Sequence, residues 1–177
     1  MSHPVSPEPV FFFIAFITKE KSLLNSILPI LETQLGKLIY SSDFFEFSKF
    51  TDYYNSEMGF PLFKNFLFFS SLKSPEFLIQ LKHFCYKIEK DFSNEEGKRR
   101  VNLDPGYIEL SKVVLSTFKN FSHRIYLGNH VYGEVTLIFK KGNFHPLPWT
   151  YPDYSANIET FLKAREIYKG LLKNYRC

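Results

Sequence analysis

The side chains best suited to chemistry fall in three short clusters. In the first, Arg99-Arg100 is followed by Asn102, Asp104 and Tyr107. Two adjacent guanidiniums offer forked donors that grip a phosphate or carboxylate. The alternative reading is a solvated charge cluster at a turn. The second is Ser122-His123-Arg124. A histidine exchanges protons near neutrality, so His123 suits acid–base work. The alternative is a hydrogen-bonded histidine on the inner face of a hairpin, because strand alternation points it toward Ile125 and Leu127. The third runs from Pro146 to Tyr154, with Trp149, Tyr151 and Tyr154 among prolines. Prolines set an extended path and aromatic rings offer stacking surfaces. The same composition also suits a rigid strap packed over a sheet.

Standard motifs are missing. Gly97-Lys98 is followed by Arg99 and no Gly stands five residues before it, so no phosphate loop is present. Neither a dinucleotide fingerprint nor a Gly-x-Ser-x-Gly elbow occurs. His3, His83, His123, His130 and His145 show no metal-ligand spacing, and no metal site is expected.

The elements that must position these clusters read as α+β. Residues 1–9 carry three prolines and predict a flexible lead-in. Residues 10–18 are continuously apolar, as a central strand buried on both faces would be. A helix is predicted over 20–35, interrupted or shifted by Pro29 and ended by Gly36. Extended stretches follow at 38–47 and 62–72, separated by a polar and aromatic loop at 50–60. Ser74-Pro75-Glu76 opens a second helix reaching 92, with Leu78, Leu81, Cys85 and Ile88 inward. A short strand over 99–103 completes the order β-α-β-β-α-β. That order matches a ferredoxin-like core over 10–104, with both helices on one face of the sheet. Asp104-Pro105-Gly106 reads as a turn. The remainder, 105–177, reads as an extension of the same single domain: a helix at 107–118, a β-hairpin, a Pro-rich connection and a terminal helix at 154–174.

Side-chain alternation constrains the hairpin. A three-residue loop of Gly128, Asn129 and His130 separates the faces best. Ile125, Leu127, Val131, Val135, Leu137 and Phe139 then point one way. Arg124, Tyr126, Tyr132, Glu134 and Thr136 point the other, with Arg124 directly across from Glu134. The polar face is either a solvated salt bridge or one wall of a pocket, roofed by the terminal helix or the Pro-rich connection.

Bulk properties narrow the function. The chain has 177 residues, 45% of them apolar, and a net charge of +4, which falls short of a dedicated nucleic-acid binder. Its 21 phenylalanines include the runs Phe11-Phe12-Phe13 and Phe44-Phe45, which imply some partly exposed rings. Only Cys85 and Cys177 are present, which predicts no disulfide framework and a reducing, cytoplasmic setting. The longest apolar run, 10–17, is too short for a membrane span.

Four segments, taken together, resemble an uncharacterised bacterial family, a domain of unknown function of about this length. They are Phe50 to Tyr54 with Glu57-Met58-Gly59, Arg99 to Tyr107, Ser122 to Gly128, and Pro146 to Tyr154. Some members of that family are labelled GTP-binding proteins. The resemblance implies a family and no mechanism; Asn102-Leu103-Asp104 does not fit the guanine-reading Asn-Lys-x-Asp pattern.

The leading expectation is a domain that binds a small anionic ligand or nucleotide. Arg99, Arg100 and Arg124 would meet the anion, and Tyr107, Tyr132 and Trp149 would stack on a ring. Asp104 and Glu134 would orient polar groups, or a Mg²⁺ ion if a nucleotide binds. Chemistry, if any, would be hydrolysis or transfer at a phosphate, with His123 or Asp104 moving the proton. The alternatives are an RNA-binding module that stacks bases on its sheet, and a protein-interaction domain that uses surface Phe and Tyr. Oligomeric state is left open.

Overall fold

The computed structural model describes residues 3–175. Its elements, in chain order, are β1 (Val10–Thr18), α1 (Leu23–Leu35), β2 (Leu38–Ser41), β3 (Phe45–Glu46), a 3-10 turn (Phe47–Lys49), α2 (Asn55–Met58), β4 (Phe63–Lys73) and α3 (Phe77–Asp91). They continue with β5 (Val101–Ile108), β6 (Lys112–Thr117), β7 (Ile125–Gly128), β8 (Val131–Lys140), β9 (Asn143–Pro146), α4 (Pro152–Ala156) and α5 (Ile158–Tyr175). Cys177, one of the two cysteines expected to form no disulfide framework, lies outside the described residues.

One nine-stranded antiparallel sheet runs through the molecule in the order β2-β4-β1-β5-β6-β8-β7, with β3 also on β4 and β9 also on β8. The strand order is not that of a simple four-stranded ferredoxin-like unit. The segment expected as an extension of that unit continues its sheet at the edge of β5.

Helices cover both faces. Val10, Phe12, Ile14 and Phe16 face α1 and α3, with Ile27, Leu31, Leu81 and Cys85 opposite them. Phe11, Phe13 and Ala15 face α5, against Phe161, Ala164 and Tyr168. Strand alternation thus feeds two separate cores from one strand. For this reason Phe11, Phe12 and Phe13 are all 0% exposed. The expectation that such runs leave rings partly exposed fails for Phe11, Phe12 and Phe13 and holds for Phe44 and Phe45, which are half-buried. Among the described residues, no helix is long and apolar enough to cross a membrane.

The helix expected over 107–118 is absent. Tyr107, Ile108, Val113, Val114 and Leu115 belong to β5 and β6, joined by a tight turn in which Glu109 N–H donates to the Lys112 carbonyl. Ile108, Val113 and Leu115 pack toward α5 while Tyr107 and Val114 pack toward α3, a two-residue period. Paired β-branched residues favour that outcome over a helix. The Asp104-Pro105-Gly106 turn is corrected with it, because all three residues lie within β5 opposite Ala15, Ile14 and Phe13.

The hairpin closes through two residues, Asn129 (φ 47°) and His130 (φ 64°), with Gly128 opposite Val131. A bulge at Leu127 restores the expected register beyond it, Tyr126 opposite Tyr132 and Ile125 opposite Gly133. The predicted apolar face does not hold. Ile125 and Leu127 are exposed, because β7 is the edge strand of the sheet. A second bulge, at Thr136 on β8, turns Val135 toward α3 and Leu137 toward α5.

Candidate functional site

β5 and β6 pair only from Gly106 to Ile108. At their junction, a Cβ on Gly106 would lie 2.5 Å from the Val114 carbonyl and 2.6 Å from a Phe13 ring carbon. Glycine is what lets the strands meet there. Before residue 106 they splay apart, and β6 continues only with β8. The freed edge of β5 is satisfied by side chains. Leu103 N–H donates to Glu89 Oε1 at 2.6 Å, and Lys82 Nζ lies 3.5 Å from the Leu103 carbonyl. Two residues on, Pro105 presents the same edge with no N–H to leave unpaired, and its carbonyl accepts from Ser116 Oγ at 2.8 Å. A proline that read as a turn marks the point where a strand loses its neighbour.

The fork opens into a cleft of about 560 Å³. Its walls are β5 and α3, the end of β6, the aromatic segment around α2, and the start of α4. The segment before α4 docks on the bulge in β8: Trp149 Nε1 donates to the Val135 carbonyl and Thr150 Oγ1 to the Thr136 carbonyl.

Six cationic and five acidic side chains line the cleft. Lys64 and Asp153 form an ion pair at 2.5 Å with only 4% of each side chain exposed. The Lys64 ammonium also sits 4.5 Å from the Tyr154 ring centre. Lys82 pairs with Asp104 at 3.0 Å, and Asn102 Nδ2 donates to the other Asp104 oxygen at 2.7 Å. Arg99 grips Glu57 with two hydrogen bonds, 2.8 and 2.6 Å, and donates to Asn102 Oδ1 at 2.7 Å. Arg124 Nε donates to Glu134 Oε2 at 2.7 Å and Nη2 to the Tyr151 hydroxyl at 3.0 Å. Glu89 is left without a cation of its own within ion-pair reach, among the described residues.

Burial and these charges set the ionisation of the interior. Burial pushes Glu89 up to about 7, against the opposing pull of Lys82 and the Leu103 N–H. Burial also opposes the charges on Asp104 and Lys82, but each is outweighed by its partner. Asp104 therefore titrates below the usual carboxylate range and Lys82 above the usual lysine value. Burial pushes the Cys85 thiol far up, so it is an inert part of the core.

The residues singled out in the sequence divide into two sets. Arg99, Asp104, Arg124 and Glu134 come together as walls of the cleft. The others lie outside it. Arg100 turns away to Glu20, with bonds of 3.0 and 2.6 Å. Tyr107 packs on Phe12 in the core beside α3. Tyr132 meets Tyr126 across the hairpin, ring centres 5.2 Å apart. Trp149 stacks on His123 at 5.0 Å. His123 Nε2 lies 3.1 Å from Glu134 Oε2, behind the Arg124 pair, instead of pointing at Ile125 and Leu127. No group of three His, Cys, Asp or Glu side chains converges as a metal site among the described residues, and Asp104 and Glu134 already hold cations.

Sequence reasoning missed Lys64, Lys82, Glu89, Lys90, Lys119 and Asp153. For two of them a signal existed. Lys82 and Glu89 fall on the buried stripe of α3 with Leu78, Leu81, Cys85 and Ile88. Charges inside an apolar stripe are costly and point to a polar interior next to them. Lys64 and Asp153 are 89 positions apart, and no local pattern links them.

Residues 8–168 match the family described as a domain of unknown function (DUF4416), and the chain belongs to that family. No curated protein and no solved structure matches it.

Proposed function

We propose that the cleft binds a small anionic ligand, and that a nucleotide is the class it fits best. The observation that carries this reading is a concave site of about 560 Å³ with one more cation than acid on its walls. That size falls in the range of small-molecule sites. Tyr53, Tyr54, Tyr86, Phe118 and Tyr151 supply flat walls for a ring. The RNA reading finds less support, because α1 and α3 cover one face of the central strands and α5 the other, which leaves the β7 edge as the open part of the sheet for bases.

Were a reaction to follow binding, Glu89 is better suited to move a proton than His123 or Asp104. It titrates near neutrality inside the cleft, whereas Asp104 is held ionised and His123 lies behind Glu134. We read the β2-β4-β1-β5 half, with α1 and α3 on one face, as an elaborated ferredoxin-like unit, and the cytoplasm as its setting. The alternation of strand order and the shared helix face support the first of these.

Thermal denaturation across a panel of nucleosides, nucleotides and inorganic phosphate tests the binding. A ligand at a hundred times its Kd stabilises the folded state by about 2.7 kcal/mol, enough to move the midpoint by several degrees. A well-folded sample that no compound shifts would sink the reading.

A further inference from the structure

We propose that the cleft takes a nucleoside phosphate in one orientation, with the ring inside and the phosphate at the mouth on Lys90 and Lys119. This rests on the reading of the cleft as a nucleotide site and says which end goes where.

The charges inside are already spent. Lys64, Lys82, Arg99 and Arg124 each hold a carboxylate: Asp153, Asp104, Glu57 and Glu134. A phosphate placed among them would have to displace one of those acids and leave it desolvated without its partner, which is strongly unfavourable. The arginines that seemed natural phosphate ligands from sequence are therefore poor ones.

Lys90 and Lys119 differ. Both line the cleft, both are exposed, and neither lies within 4 Å of a carboxylate among the described residues. Lys119 Nζ donates to the Tyr53 hydroxyl at 2.6 Å and has further donors to give. Its backbone is held in place, since its carbonyl accepts from Arg124 Nη1 at 3.1 Å. The Lys90 ammonium rests over the Tyr86 ring at 5.5 Å. Ring contacts link the two lysines along one wall: the Tyr86 ring under Lys90 meets the Phe118 ring at 5.6 Å, and Phe118 precedes Lys119 in the chain. Lys119, then Arg99, draw the Tyr53 phenol below its usual value; Arg99, and to a lesser degree Lys90, lower Glu57.

Further in, the walls suit a ring with polar edges. Lys82 lies over the Phe118 ring at 5.4 Å and Arg99 over Tyr54 at 5.5 Å, so these aromatics are fixed by cations on their faces. Glu89 and Asn102 stand beside them to meet the ring's donors and acceptors.

The test is calorimetric titration of the full chain with the four ribonucleosides, their 5′-monophosphates and inorganic phosphate, repeated for Lys90→Ala, Lys119→Ala and the double variant. At least one monophosphate should bind more tightly than its nucleoside. Each lysine variant should weaken that monophosphate roughly tenfold and leave the nucleoside unchanged. The advantage of the monophosphate should shrink with added salt. Monophosphate affinity that survives in the double variant overturns the orientation and leaves the cleft reading standing. Inorganic phosphate bound as well as any monophosphate reduces the lysines to an anion patch and also overturns it. No binding by any compound overturns both.

Discussion

Lys64 and Asp153 join β4 to the first turn of α4 across the floor of the cleft, with 4% of each side chain exposed. Breaking such a pair leaves one charge buried without its counterion. Lys64→Met or Asp153→Asn should each cost about 3–5 kcal/mol, measured by urea denaturation. Replacing both with apolar residues should recover most of that loss, because the desolvation penalty goes with the charges. Glu89 acts in the opposite sense. Its folded pKa, about 7, stands above the ordinary value of 4.5. Between those values the folded state holds a proton that the unfolded chain releases, so this group's contribution declines as pH rises from about 4.5 to about 7 and then levels off. Glu89→Gln keeps an oxygen to accept from Leu103 N–H and removes the titration. The variant should gain on the parent by roughly 3 kcal/mol over that interval, read from denaturation midpoints at several pH values. A constant difference across the interval would show that Glu89 titrates normally.

Among the elements, the junction of β5 and β6 is the one that makes the cleft. Gly106 permits the two strands to touch for three residue pairs before they part. Gly106→Ala forces a methyl against the Val114 carbonyl and should cost about 1–3 kcal/mol. The same substitution at Gly170, which is exposed on α5 with nothing within 4 Å, should stabilise by about 0.5–1 kcal/mol. Chemical denaturation of the two variants reads the contrast directly; equal effects would mean that the Gly106 contact is slack. The bulges in β7 and β8 belong to this scale too. Each changes which face a strand presents, and the one at Thr136 aligns the carbonyls that Trp149 and Thr150 take up.

At the scale of the whole molecule, the sheet needs covers on both faces. Phe11, Phe13, Phe66 and Phe68 are 0% exposed because α5 lies over them. A chain ending after Pro146 would bare that layer together with Asp153's partner, Lys64. It should bind a hydrophobic dye and aggregate, while the full chain does neither. A soluble, dye-silent truncation would show that α4 and α5 are dispensable covers.

Local pattern was enough to place β1 as a continuous apolar run, β4 as an extended stretch, and α1 and α3 by apolar residues that repeat at three to four. They also set Arg124 across from Glu134, since alternation fixes a hairpin beyond its loop. Local pattern misread 104–118, because Asp-Pro-Gly is turn chemistry wherever the next strand does not decide otherwise. Whether Pro105 ends a strand or edges one depends on β6, which pairs with β5 for three residues and then leaves. The cleft is of the same kind. Arg99 and Asp104 were legible as polar residues near one another, but the partners that neutralise them come from α2 and α3. Lys64 and Asp153 meet only when β4 and α4 are laid side by side. Sequence by itself determined which residues are polar and placed the strands and helices outside 104–118 whose pattern is local. Tertiary structure alone decided which charges are spent on one another and which, Lys90 and Lys119, stand on the cleft wall without a carboxylate partner among the described residues.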